Sequence, residues 1–145
     1  MESQESPKKY NTSQPIIIPS TTSISAQVDQ SVTFSVRFCS NPQPTGIFWV
    51  GPQVLLKQGE NIGRFSTQPV PDLQGDMCGN VSLEVEHVEM KDMGEYVLVV
   101  RNMYDIQEGV VWLEVEGGQT SSTARNNCDI VLAFIFTFIS VYLKL

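Results

Sequence analysis

Between residues 16 and 117 no stretch of the chain keeps a helical period, and this bounds what it can become. Short runs rich in β-branched and aromatic residues recur instead, at 23–28, 31–38, 46–50, 53–56, 63–67, 80–87, 94–101 and 108–116. Turn formers separate them: Asp29-Gln30, Asn41-Pro42-Gln43-Pro44, Gly51-Pro52, Gly59, the stretch 69–75 and Asn102. Many short strands over about 100 residues point to an all-β sandwich, in which two sheets bury their apolar faces against each other.

The composition allows such a core and removes other readings. The chain has 145 residues and is 41% hydrophobic, which suits one domain with tails. Its net charge of −7 argues against a nucleic-acid partner, which needs a basic surface. One His and three Cys leave little for a metal site. No glycine-rich phosphate loop or nucleophile elbow is present, and His87 has no nucleophile at a meaningful spacing. The sequence therefore predicts no catalytic residue, no cofactor and no metal.

The two ends differ in kind. Residues 1–15 are polar, mix Glu2 and Glu5 with Lys8 and Lys9, and read as a flexible arm. They contain no apolar run of a secretory leader; a truncated start or an alternative first exon would account for that in an extracellular protein. Residues 130–145 form an apolar run with a single Lys near its end. As a helix the run would be about 24 Å long, against a hydrocarbon core of about 30 Å. It follows a small and polar spacer, residues 118–129, in the layout of a lipid-anchor (GPI) signal. Ser122, Ser121 and Gly118 are the candidate attachment residues. The competing readings are a short transmembrane span, for which Cys128 would be a palmitoylation candidate, and a buried tail.

Within residues 16–117 the motifs become specific. Asp92-Met93-Gly94-Glu95-Tyr96 is an Asp-x-Gly-x-Tyr pattern leading into a strand. Upstream stand Val32-x-Phe34-x-Val36, the Pro-rich turn Asn41-Pro42-Gln43-Pro44 and Ile47-Phe48-Trp49. Arg64-Phe65 and Leu83-Glu84-Val85 lie between, and Leu113-Glu114-Val115 closes the series. This order resembles an immunoglobulin-superfamily domain of the I-set type, as in cell-surface adhesion and recognition proteins. The resemblance covers about two-thirds of the chain. It implies that Trp49 is the buried Trp of strand C and that Tyr96 is the tyrosine-corner residue. It also implies that Arg64 and Asp92 form an ion pair closing one end of the sandwich.

The cysteines depart from the family pattern. The inter-sheet disulfide of the family joins strands B and F, and the matching positions here are Val36 and Leu98. In that fold strands B and E are antiparallel neighbours, so Cys39 at the end of B lies beside Cys78 at the start of E. If Val36 faces Leu83, residue 39 falls near residue 80, which makes a Cys39–Cys78 disulfide the expected replacement. It would close a loop of about 40 residues, worth roughly 4 kcal/mol in the chain-entropy account. The alternative is two free thiols. A disulfide would belong to an oxidising compartment, where Asn11 and Asn80, each in an Asn-x-Ser pattern, are candidate glycan acceptors.

Alternation along the strands separates two outer surfaces. Thr33, Ser35 and Arg37 with Ser82, Glu84 and Glu86 make one of them polar. On the C–F–G sheet the residues opposite the core phase are Phe48, Val50, Val97, Val99, Val110 and Trp112. An outward apolar surface of this kind marks a candidate protein-binding face, homophilic or for another surface protein. The alternatives are cover by a neighbouring domain, a linker or the arm, or a bulge that shifts the phase by one. The resulting expectation is a plasma-membrane protein, tethered through its C-terminal tail, with an extracellular domain for recognition or adhesion. An intracellular structural I-set module and a soluble secreted decoy are the alternatives.

Overall fold

The structure is a computed structural model and describes residues 13–18 and 21–117. Two five-stranded sheets face each other. One contains β1 (Ile16–Ile18), β3 (Val32–Cys39), β8 (Cys78–Val85), β7 (Phe65–Ser66) and β6 (Asn61–Ile62) in the order β1-β3-β8-β7-β6. The other contains β2 (Ser23–Gln27), β10 (Ile106–Glu116), β9 (Gly94–Arg101), β4 (Gly46–Val50) and β5 (Leu55–Lys57) in the order β2-β10-β9-β4-β5. Neighbours run antiparallel except β2 and β10, which are parallel. Strands B, C, E, F and G of the sequence comparison are β3, β4, β8, β9 and β10. Among the described residues no helix is long and apolar enough to cross a membrane. The tail 130–145, the candidate attachment residues Gly118, Ser121 and Ser122, and Asn11 lie outside the described residues.

Period-two alternation builds the core. Phe34, Val36 and Phe38 from β3 and Val81, Leu83 and Val85 from β8 point inward. Ile47 and Trp49 from β4, Tyr96, Leu98 and Val100 from β9, and Val111, Leu113 and Val115 from β10 meet them. The ring of Phe34 lies 4.8 Å from that of Tyr96 and 6.1 Å from that of Trp49, centroid to centroid, so three aromatic rings bridge the sheets. Val36 and Leu98, where the family has its cross-sheet disulfide, are both buried in this cluster.

The first strand of the sandwich is split. The short run Ile16–Ile18 pairs with β3, then β2 joins the opposite sheet. The sequence reading passed over β1, because three isoleucines carry no alternation. Residues 13–15 also belong to the sandwich and not to the arm: the Ser13 amide donates to the Asn41 carbonyl at 3.0 Å, and Pro15 is buried. Ile17 packs where β10 carries Gly109. A Cβ at that glycine would stand 2.6 Å from Ile17 Cγ2, so a larger residue would push β1 off the sandwich.

Register corrects one expectation. Val36 lies opposite Val81, and Leu83 pairs with Phe34. The shift of two residues keeps every side chain on its expected face. It also brings Cys39 directly opposite Cys78, with Cα atoms 3.9 Å apart and a disulfide between them. The stretch 63–67 likewise departs from a single strand: it forms β7 alone, after a turn at Gly63, with β6 before it.

The bond lies within one sheet at the end of the β3–β8 ladder, so it constrains the unfolded chain more than it joins the layers. The Cys39→Ser/Cys78→Ser double variant should still fold, and urea melts should show a loss of about 2–4 kcal/mol.

Candidate functional site

One end of the sandwich is closed by an ion-pair network. Asp92 ends the 3-10 turn Met90–Asp92 that leads into β9, and its side chain is fully buried. Arg64, just before β7, reaches it with two parallel hydrogen bonds: Nη1 to Oδ2 at 2.7 Å and Nη2 to Oδ1 at 2.9 Å. This fork-to-carboxylate geometry is the strong form of the pair. Arg64 Nη1 also donates to the carbonyls of Glu86 and His87, and the Glu89 amide donates to Asp92 Oδ2. The Tyr96 hydroxyl donates 2.8 Å to the Asp92 carbonyl, four residues upstream. Gly94 between them has φ +142°, a region that a side chain rarely adopts, which explains the glycine of the motif. Trp49 is fully buried. His87 is exposed and pairs with Asp29 at 2.9 Å.

Burial alone would push the Asp92 carboxyl up, but the Arg64 guanidinium and the Glu89 amide together hold it below the ordinary carboxylate value. The same hydrogen bond raises Arg64 above its ordinary value. Burial first, then the neighbouring Asp92 charge, push the Tyr96 phenol well up, so it stays a proton donor.

The outer surface of the β2-β10-β9-β4-β5 sheet carries the candidate face. Phe48, Val97 and Val99 are half-buried, and Val50, Val110 and Trp112 are each 40–42% exposed. The strand register arranges five of these six residues in two rows across the sheet. One row reads Leu55–Val50–Val97–Val110 over β5, β4, β9 and β10. The next reads Lys57–Phe48–Val99–Glu108 over the same strands. Trp112 lies one row further along β10, opposite Glu95, and its Nε1 donates to Glu114 at 2.9 Å. Phe48 lies down along its own strand over Gly46, where a Cβ would stand 2.6 Å from Phe48 Cε2.

Sequence reasoning missed Leu55, which is 64% exposed and extends the first row to the sheet edge. Gln53-Val54-Leu55-Leu56 has no alternation to set its phase, so only the pairing Val50↔Leu55 reveals its side. It also missed Asn102. That buried side chain donates to the Ser13 carbonyl and the Ser40 hydroxyl, and its Oδ1 accepts from the Tyr104 and Asp105 amides. Asn102 thereby shapes the β9–β10 turn and ties it to the chain entry. The turn displays Met103 and Tyr104, which are 72% and 57% exposed.

The other outer surface is polar along β3 and β8, while its edge strand β1 exposes Ile16 and Ile18. Thr33, Ser35 and Arg37 are exposed, Ser82 and Glu84 are half-buried, and Glu86 is exposed. Asn80 is exposed there, opposite Arg37, and Arg37 pairs with Asp76 at 2.6 Å. Among the described residues no group of three His, Cys, Asp or Glu could hold a metal ion.

Two variants test the closure. Arg64→Ala leaves Asp92 buried without its cation and should cost about 3 kcal/mol in urea melts at neutral pH. The native state holds the Asp92 proton more weakly than the unfolded chain does. Its contribution is therefore complete above about pH 4 and is lost as pH falls toward the native value. Asp92→Asn should be less stable at pH 7 and should lack this part of the fall below about pH 4, as read by urea melts from pH 7 to pH 2.

The family model of the immunoglobulin I-set domain matches residues 15–115. No curated protein matches the chain. Among solved structures, the twitchin kinase region from C. elegans shares 22% identity at a TM-score of 0.57, over 72% of this chain and 16% of that one. Dpr2 Ig1-Ig2, solved in complex with DIP-Theta Ig1-Ig3, shares 17% identity at a TM-score of 0.59, over 71% of this chain and 32% of that one. Titin domain M7 shares 18% identity at a TM-score of 0.56, over 71% of this chain and 94% of that one. The chain thus spans less than a third of the first two. These likenesses concern the fold, and together with the family match they make this chain a member of the immunoglobulin I-set family.

Proposed function

We propose that this protein is a membrane-tethered extracellular recognition or adhesion module that binds a protein partner through the outer face of the β5-β4-β9-β10 sheet. The observation that carries the reading is the contrast between the two outer surfaces. One displays Leu55, Val50, Val110 and Trp112 to solvent, with the half-buried Phe48, Val97 and Val99 among them. The other is polar along β3 and β8, with Ile16 and Ile18 exposed at its β1 edge, and carries Asn80 in a glycan-acceptor pattern. A glycan at Asn80 would leave the apolar face free. Exposed apolar surface rimmed by charge is the anatomy of a protein interface, with aromatic residues as anchors. The Cys39–Cys78 disulfide fits an oxidising compartment. The tail 130–145, as a lipid-anchor signal or a short span, would hold the domain at the outer surface of the plasma membrane. The Dpr2 neighbour, solved in complex with a second immunoglobulin protein, is a precedent for partner binding by this fold.

A second reading is an intracellular structural module. The titin and twitchin neighbours and the apolar Val36–Leu98 contact in place of a cross-sheet disulfide favour it.

Surface biotinylation of cells that make the protein decides between them. The first reading expects labelled protein with an oxidised Cys39–Cys78 pair and a glycosidase-sensitive mass at Asn80; cytosolic protein with free thiols would overturn it. Binding to an array of recombinant ectodomains, this one included, should fall at least tenfold in Phe48→Glu and Val97→Glu. Arg37→Glu on the opposite surface should leave it unchanged. All three variants should keep a cooperative urea transition.

A further inference from the structure

We infer that the partner on this face is a second copy of the same chain, related by a two-fold axis that runs along the strands between β4 and β9. The inference rests on the reading of the face as a recognition surface and adds its occupant and its register. It starts from the order of residues in the row Lys57–Phe48–Val99–Glu108. A cation stands at one end, an anion at the other, and two apolar residues between them. Both charged residues are exposed, and among the described residues neither side chain forms a salt bridge.

Two identical sheets can meet face to face through a two-fold axis lying in the interface plane. If the axis runs along the strands, each row meets itself read backwards. Lys57 then faces Glu108 of the partner copy, Glu108 faces the partner's Lys57, and Phe48 faces the partner's Val99. The neighbouring row places Leu55 against the partner's Val110 and Val50 against the partner's Val97. Every contact within these two rows is apolar on apolar or cation on anion. If the axis instead runs across the strands, the two rows meet each other. Lys57 would then lie over the partner's Leu55 and Glu108 over the partner's Val110, with both charges over aliphatic groups and unpaired. The charge pattern therefore selects the first arrangement. Sheets stacked this way keep their strands within about 30° of each other, which preserves the four central apolar contacts.

The charges sit at the ends of the row, on the rim of the patch, where ion pairs set register more than affinity. Four strands about 4.8 Å apart and about six residues of strand give a flat footprint of about 400 Å² per copy. A standard interface uses about 800 Å² per partner. The association is therefore weak and concentration-dependent, as suits copies held at high density on a surface.

The test uses the full chain in neutral detergent micelles, with donor and acceptor dyes on separate preparations and energy transfer read over a concentration series. Wild-type chain should show transfer that rises with concentration. Lys57→Glu sets Glu against Glu at both ends of its own dimer, and Glu108→Lys sets Lys against Lys. Each variant alone should associate at least tenfold more weakly. Mixed with each other they regain both ion pairs, so the mixture should recover wild-type transfer.

A mixture no better than its components would overturn the two-fold arrangement. If Phe48→Glu still abolishes the wild-type association, the recognition face itself stands. Transfer indifferent to Phe48→Glu and to both charge reversals places the association elsewhere and overturns the inference together with the face. Wild-type chain without transfer at any concentration overturns the second copy alone, and the ectodomain array then judges the face by itself.

Discussion

Cohesion between the two sheets depends on apolar contact across Phe34, Trp49 and Tyr96. The three rings meet where β3 faces β4 and β9, and Val36 and Leu98 fill the space beside them. No disulfide crosses the layers among the described residues, since Cys39–Cys78 joins neighbours in one sheet. The layers are thus held by burial, by the chain connections, and by the Arg64–Asp92 pair that ties the approach to β7 to the entry of β9. Burial is non-directional, so the directional groups at the end of the sandwich fix how the layers meet. The Asp92 carboxylate, its backbone carbonyl and the Tyr96 hydroxyl act there as one connected unit.

Moving the cross-link from between the sheets to the end of the β3–β8 ladder changes what it protects. It fastens the segment that carries the Asn41-Pro42-Gln43-Pro44 turn, close to Ser40 and the Asn102 network. The β9–β10 turn, the chain entry at Ser13 and the end of β3 are therefore coupled. The exposed Met103 and Tyr104 sit on that rigid end, beside the apolar face. A recognition surface gains from such support, because less ordering remains to be done on binding.

The asymmetry of the outer surfaces comes from one chemical choice repeated on three strands. On β4, β9 and β10 the residues out of phase with the core include Phe48, Val50, Val97, Val99, Val110 and Trp112, while β3 and β8 place Thr33, Ser35, Ser82 and Glu84 there. Both sheets satisfy the core equally. The apolar outer positions contribute nothing to closing the sandwich, which is why they speak for a partner more than for the fold.

The sequence by itself determined the two-layer β architecture, the inward phase of β3, β4, β8, β9 and β10, and the composition of the outer face. Each follows from period-two alternation, which is written residue by residue. The Asp-x-Gly-x-Tyr motif likewise carried its own geometry, because Tyr96 and its carbonyl acceptor at Asp92 are four residues apart. Tertiary structure alone decided what depends on pairing between distant segments. The register of β3 on β8 set Cys39 against Cys78, two residues away from where spacing placed it. Pairing with β4 gave Leu55 its side, and the isoleucines of β1 became a strand only because β3 offered an edge. The opposed charges of Lys57 and Glu108 lie far apart in the chain and became the two ends of one row through three strand pairings. Alternation fixes which face a residue takes, while long-range hydrogen bonding fixes its neighbours on that face.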